Sequence, residues 1–385
     1  MGSLYLHIPF CERKCIYCDF YSIENHSSMN DFLRALKMEI EMYRDYSSQE
    51  TFETVYLGGG TPSLLSSKEV GELLGSLHRT FRIEPGAEIT LEVNPGTADK
   101  EKLEEYRTAG VNRLSVGVQS FHDDDLNFLG RIHSADEAKN CIRRAQQAGF
   151  ESISIDLIYA LPRQTMDRWK NNLERAVESG ARHISAYSLI IEDDTPLART
   201  VKAKQVKPLP AELEADMYEY TMAYLTGCGF EHYEVSNYGQ PGFRSRHNSN
   251  YWNHTNYLGF GPSAHSFWSM AQPGQDRRWW NVRSVQKYCK KVFSGGFPLA
   301  GEESLTGRQI TEETIMLSLR SNGIDLHRFK GRHGVDFFKE GRPIIEQLIA
   351  GGLANLKDSR LRLTDKGFLL CDEICERFLS FPCTP

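Results

Sequence analysis

From residue 1 to about 235, short runs of β-branched and aromatic residues alternate with stretches in which apolar residues return every three or four positions. "SLYLHI", "TVYLGGG", "EITLEVNP", "RLSVGVQSF", "SISIDLIYALP" and "HISAYSLII" are strand-like, with helical stretches such as "SMNDFLRALKMEIEMYRDY" and "DKEKLEEYRTAG" between them. Six strand–helix units predict a parallel sheet with outer helices, in which function collects on loops at the carboxyl ends of the strands. The segment "GFEHYEVSNYGQPGFRSRHNSNYWNHTNYLGFGPSAHSF" then turns aromatic, Asn-rich and Gly-rich without clear periodicity, and predicts a long ordered loop region. From about 300 the chain offers helices at "TEETIMLSLRSNGI" and "PIIEQLIAGGL", a hairpin at "LANLKDSRLRLTDKG" and a closing helix "FLLCDEICERFL". That order is the order of a small winged-helix module, which serves DNA binding in some proteins and plain docking in others. The expected division is therefore 1–235, a connecting region 236–300, and a C-terminal α+β domain 301–385.

Composition narrows the classes. The 385 residues are 40% hydrophobic and 25% charged, which is globular, and 45 basic against 51 acidic residues leave a net charge of −6. No global basic field exists to capture nucleic acid, so none is expected as a partner. The apolar runs fall short of a membrane span, and "MGSLYLHIPF" reads as a strand and not as a signal peptide, so a cytoplasmic location is expected. Gly2 follows Met1, but Leu6 stands where a myristoylation signal has Ser or Thr.

Nine cysteines, an odd number, argue against a disulfide framework. Six are scattered and read as small apolar residues, Cys141 within a helical pattern among them. Cys11, Cys15 and Cys18 fall within eight positions of "HIPFCERKCIYCDFYS". A closed structural zinc site needs four ligands, for which His7, Asp19 or His26 could complete the set. The favoured reading is an iron–sulfur cubane held by three thiolates on one loop, with one iron left open for an outside ligand.

The CxxxCxxC stretch after "HIPF", followed by "GGGTP" at the next strand end, resembles the radical S-adenosylmethionine superfamily. That resemblance implies an incomplete parallel (β/α) barrel, with a [4Fe-4S] cluster whose open iron is chelated by S-adenosylmethionine and whose reduction cleaves the sulfonium to a 5'-deoxyadenosyl radical. Other motifs suit the same ligand. Glycines let backbone approach it closely. Glu92 in "LEVNPG" can accept from ribose hydroxyls, the Arg131 fork suits a carboxylate, and Asp156 inside an apolar strand is costly to bury unless it has a partner. Gln119 completes the polar set.

"LYLHIPFCERKCIYCDF", "GVQSF", "LGRIHS" and "DLIYALPRQT" are similar to oxygen-independent coproporphyrinogen III dehydrogenase and its relatives over nearly the whole chain. Carried onto this sequence, the family's S-adenosylmethionine contacts fall on Tyr5, Tyr17, Gly59, Gly60, Thr61, Glu92, Gln119, Arg131 and Asp156, and its cluster ligands on Cys11, Cys15 and Cys18. The dehydrogenase pattern has a further cysteine two residues after the third, where this chain has Asp19-Phe20, and an N-terminal extension that this chain lacks. Both departures resemble the family's haem chaperone branch, whose HNxxYW motif reads here His247 to Trp252. The resemblance implies haem as cargo at His247, Tyr251 and Trp252, with Arg244 or Arg246 available to propionates, and apo-haemoproteins such as membrane respiratory enzymes as recipients, approached transiently at the membrane. His254 and His265 stand nearby as other ligands, and an aromatic loop merely packed on the barrel is the alternative. The expected function is haem binding and delivery; the runner-up is radical decarboxylation of coproporphyrinogen III. Oligomeric state is not legible.

Overall fold

The protein is described by a computed structural model covering residues 1–45, 50–269 and 276–379. Six parallel neighbours, β1 (Gly2–Ile8), β2 (Thr51–Gly59), β3 (Arg82–Val93), β4 (Arg113–Gln119), β5 (Ser152–Tyr159) and β6 (His183–Ser188), form the middle of one sheet in chain order. They are the six expected strands. Side chains alternate along them, as the pleat requires. Leu4, Leu6, Val55, Leu57, Leu114, Val116, Ile153 and Ile155 face outward and are buried. On the other face Tyr56, Glu92, Ser115, Asp156 and Ser185 line an internal cavity. The outer helices start where polar side chains cap them: Ser66 and Ser134 each complete a reciprocal capping box, with Glu69 and Glu137.

The sheet continues at both edges. β7 (Glu231–Glu234) and β8 (Asn237–Gly239) add antiparallel strands outside β6. On the other side β9 (Tyr257–Phe260) joins β1 in parallel, followed by antiparallel β10 (His265–Trp268), β11 (Asp276–Asn281) and β12 (Leu299–Leu305). The expectation of a loop region across 236–300 is thereby corrected: it holds strands together with helices Arg246–Trp252 and Val285–Phe293. Strands of three to six residues, such as "NYG" and "DRRWWN", are too short to display a period of two.

Beyond β12 come helix Gly307–Leu319 and a small antiparallel sheet of β13 (Ile324–Asp325), β14 (Ala354–Lys357) and β15 (Arg360–Leu363), with further helices, the expected α+β arrangement. This part packs on the β7 edge, where Arg362 donates to the His232 carbonyl at 2.7 Å and the His232 and Phe368 rings lie 4.6 Å apart. Among the described residues no helix is long and apolar enough to cross a membrane.

One buried carboxylate fastens the β9 edge to the rest. Glu39, on helix Met29–Met42 and 0% exposed, accepts from the Gly261 N–H at 2.8 Å, the Tyr288 hydroxyl at 2.6 Å and the Asn281 amide at 2.6 Å. Burial pushes its pKa up to about 7. Glu39→Ala strands three buried donors and should destabilise the fold by about 3 kcal/mol in urea unfolding, with Glu39→Gln costing less because an amide oxygen still accepts.

Candidate functional site

β1 leads directly into the cysteine loop. The loop is closed at its base, where the Cys11 N–H donates to the Ile23 carbonyl at 3.0 Å and the Ile23 N–H to the Pro9 carbonyl at 2.8 Å. Cys11, Cys15 and Cys18 all line one cavity of about 600 Å3. Thr61 Oγ1 donates to the Cys11 sulfur at 3.6 Å and Arg131 Nη1 to the Cys15 sulfur at 3.5 Å. Burial raises the pKa of Cys11, and that of Cys18 to about 11, so both thiols need a metal or a cation to ionise at neutral pH. Among the described residues no three His, Cys, Asp or Glu side chains converge on a single-ion site. The side chains considered as a fourth zinc ligand are engaged elsewhere. His7 Nε2 donates to the Tyr21 carbonyl at 2.8 Å, His26 Nε2 to the Cys11 carbonyl at 3.1 Å, and Asp19 accepts from Arg283 at 3.3 Å.

The scattered cysteines Cys141, Cys289, Cys371 and Cys375 are buried, as expected of small apolar residues. Cys228 differs: it is exposed, because it falls at the cap of helix Ala211–Gly227 where the chain turns outward. Cys383 lies outside the described residues.

The glycine turn at the end of β2 passes against this loop. Gly59 has φ +112, and a Cβ there would stand 2.7 Å from the His7 ring. A Cβ on Gly60 would meet the Phe10 carbonyl at 2.6 Å and the Cys11 sulfur at 3.0 Å. Glycine is required at both positions, by backbone conformation at the first and by space at the second.

The polar set expected at successive strand ends converges on the same cavity. Tyr17, Gly59, Gly60, Thr61, Glu92, Gln119, Arg131 and Asp156 line it with the three cysteines. Tyr5 does not; it lies beside this layer, its hydroxyl donating to His7 Nδ1 at 3.1 Å and its ring 6.1 Å from that of Tyr56. Glu92 accepts from the Tyr56 hydroxyl at 2.8 Å and the Gly59 N–H at 3.1 Å, and burial raises its pKa to about 7. Asp156 accepts from Ser115 at 3.2 Å and burial lifts it to about 6. Arg131 donates to the Gly117 carbonyl at 2.9 Å and to Asn94. Arg131 Nε and Gln119 Oε1 are among the buried atoms here that have no partner, and Gln119 holds a left-handed φ of 65. Unsatisfied polar atoms beside thiols and a glycine cradle fit a site built for a polar ligand next to a thiolate-bound group.

Sequence reasoning missed several lining residues: Tyr56, Asn94, Arg113, Ser115, His183 and Tyr187. Their signal was present as polar residues at every second position within the strands.

The His247–Trp252 motif lies at the bottom of the same cavity, which Asn248 lines while His247 does not. It forms a helix against β1, β2 and the first part of β3, at the opposite end of the strands from the cysteine loop. The Arg246 and His247 N–H groups donate to the two Glu88 oxygens at 3.0 and 2.9 Å, and Asn250 donates to Ser3 at 2.9 Å. His247 is 1% exposed. Its Nδ1 pairs with the Thr54 hydroxyl at 2.8 Å and its Nε2 with the Tyr251 hydroxyl at 3.2 Å, while the ring stacks on Tyr56 at 4.9 Å. Burial lowers its pKa to about 3, so the ring is neutral. The expected loop is thus corrected to a helix that plugs the barrel floor, because Glu88 and Thr54 supply the partners that hold it. Tyr251 and Trp252 are half-buried. Arg244 and Arg246 pair with Glu231 at 2.8 Å and Glu53 at 3.0 Å, and His254 with Glu313 at 3.1 Å; His265 is exposed.

Comparison with known proteins covers the whole chain. Residues 5–176 match the family pattern described as Radical SAM superfamily, and residues 305–370 match the HemN C-terminal domain. The heme chaperone HemW of Bacillus subtilis is 35% identical over 384 residues, covering 99% of this chain and 100% of that protein. The protein of the same name from Lactococcus lactis is 36% identical over 380 residues, covering 98% and 97%. Among solved structures, coproporphyrinogen III oxidase (HemN) from Escherichia coli, a radical SAM enzyme, superposes with a TM-score of 0.82 at 25% identity over 98% of this chain and 90% of that one.

The half-buried Glu92 carboxyl should titrate with the fold in the ligand-free protein. Its raised pKa favours the protonated form in the fold, so its contribution to stability is complete below about pH 4.5 and is lost as pH rises through about 7. The loss is about 3 kcal/mol at most. Glu92→Gln removes the titration, so its melting temperature should match the wild type near pH 5 and exceed it at pH 8; a difference that does not change with pH would contradict this.

Proposed function

This chain belongs to the haem chaperone HemW family of the radical S-adenosylmethionine superfamily, and on that premise we propose that it binds haem and delivers it to apo-haemoproteins. The observation that carries the reading is likeness over the full length, 35% identity spanning 100% of a relative named as a heme chaperone. Membership implies a [4Fe-4S] cluster and S-adenosylmethionine.

For the residues we propose the following roles. Cys11, Cys15 and Cys18 hold the cluster from one side. The Gly59–Gly60–Thr61 turn receives the methionine part of S-adenosylmethionine, Arg131 meets its carboxylate, Glu92 and Asp156 accept from its hydroxyl and amino groups, and Gln119 donates or accepts beside them. Tyr17 closes the rim and Tyr5 supports the layer beside it. Cluster and cosubstrate, when bound, supply one-electron chemistry. Arg131 balances thiolate charge at Cys15. His247, Tyr251 and Trp252 close the barrel floor; His247 can reach haem iron only after its bonds to Thr54 and Tyr251 are broken. Respiratory enzymes are the recipients we favour, met by transient approach to the membrane.

The second reading, oxidative decarboxylation of coproporphyrinogen III, draws on the likeness to the Escherichia coli oxidase. Phe20, standing where that enzyme's pattern has a cysteine, weighs against it.

Three outcomes are expected. Anaerobically reconstituted protein binds haem, read as a Soret band, and forms no protoporphyrinogen IX from coproporphyrinogen III with S-adenosylmethionine and reductant; robust product would reverse the assignment. Replacing any one of Cys11, Cys15 and Cys18 by Ala abolishes bound iron and sulfide. Arg131→Leu weakens S-adenosylmethionine binding by about 1.5 to 3 kcal/mol in calorimetric titration, as loss of a hydrogen bond to a charged group does.

A further inference from the structure

We infer that haem is held at the rim of the barrel mouth, its macrocycle against Phe20, Ile132 and Ile190 and its propionates toward Arg13 and Lys14. The inference rests on the haem-binding reading above and gives that cargo a place. Ten large hydrophobic side chains are exposed among the described residues, and three of them, Phe20 at 66%, Ile132 at 44% and Ile190 at 66%, line this one cavity. They come from three separate segments: the cysteine loop, the turn after the helix that follows β4, and the turn after β6. Single exposed apolar residues need no explanation, but three segments sending one each to the same opening make a patch.

The patch suits a porphyrin more than a protein. Haem is a flat apolar ring carrying two carboxylates on one edge, so it needs an apolar wall with cations along one side. Arg13 and Lys14 lie on the cysteine loop with Phe20 and line the same cavity, and neither forms an ion pair among the described residues. Glu192 lies at the rim on the Ile190 side and repels carboxylates, whereas Asp19, the acid on the cysteine-loop side, is paired with Arg283 at 3.3 Å, so the propionate edge turns toward Arg13 and Lys14. A stable protein interface buries about 800 Å2 on each side, far more than these few side chains offer.

The floor motif competes poorly for this role. His247 is buried at the other end of the strands with both ring nitrogens engaged. His183, a histidine that lines the cavity, is 1% exposed and bonded to Ser154 and Tyr233, each at 2.7 Å. Haem at the rim therefore finds no free imidazole in this structure, and its iron is left for a ligand from the recipient. A carrier that grips the ring and its carboxylates while leaving the metal open can release haem by ligand exchange.

The test uses the full-length protein with its cluster reconstituted, titrated with haem and separately with iron-free protoporphyrin IX. Phe20→Ser combined with Ile190→Ser should raise both dissociation constants at least tenfold with iron and sulfide content unchanged. Arg13→Glu with Lys14→Glu should weaken protoporphyrin IX but not its dimethyl ester. His247→Gln should leave the Soret position and haem affinity as in the wild type. Wild-type haem affinity in the rim variants, together with loss of the Soret band in His247→Gln, would overturn the inference and move haem to the floor. Unchanged haem affinity with slower transfer to apomyoglobin would also overturn it, marking the rim as a protein contact. Failure of the wild type to bind haem at all would instead sink the chaperone reading itself.

Discussion

The rest of the structure is arranged around two half-buried carboxylates, Glu92 and Asp156, in one lumen. Neither forms an ion pair within 4 Å among the described residues, and burial raises both toward neutrality. A carboxylate in such a place is costly unless hydroxyls, backbone N–H groups or a ligand satisfy it. The barrel answers with polar residues on the inner face of each strand, with Ser115 and Tyr56 as direct donors. The apolar residues that stabilise the fold are driven to the outer face beneath the helices. The interior is a chamber for a ligand, where an ordinary closed barrel would fill the same space with layers of packed apolar side chains.

A chamber of this kind needs a floor and a mouth, and one residue touches the fittings of both. Tyr56 donates to Glu92 on the cysteine-loop side and stacks on His247 on the floor side. The floor helix is in turn held by Glu88 and Thr54, which belong to β3 and β2. The motif from His247 to Trp252 therefore reaches the layer above it through the Tyr56 and Tyr5 rings and through Asn248, which lines the cavity itself. It sits far from the solvent-facing rim, where the exposed apolar side chains collect.

Fold and function separate cleanly here. The chain shares its architecture with an oxidase that acts on a porphyrinogen and its length with proteins named as haem chaperones. One barrel architecture therefore does not by itself fix the activity, which depends on the side chains it carries.

The cysteine loop, the glycine turn and the six alternating strands were legible in the sequence because each is local: a few neighbouring residues carry the whole signal. Glu92, Gln119 and Asp156, in the last halves of their strands, were legible too, since a parallel sheet places every strand end on one side; Arg131 reaches the same place from the turn after helix Asp123–Leu129. The floor helix, the short added strands and the burial of His247 were not. They depend on contacts such as Thr54 with His247, 193 residues apart, and on a lock such as Glu39 with Tyr288, 249 residues apart. A motif of six residues with no period of its own takes its conformation from the partners that the barrel presents to it. Only the tertiary structure could decide whether its histidine faced solvent or the inside of the barrel.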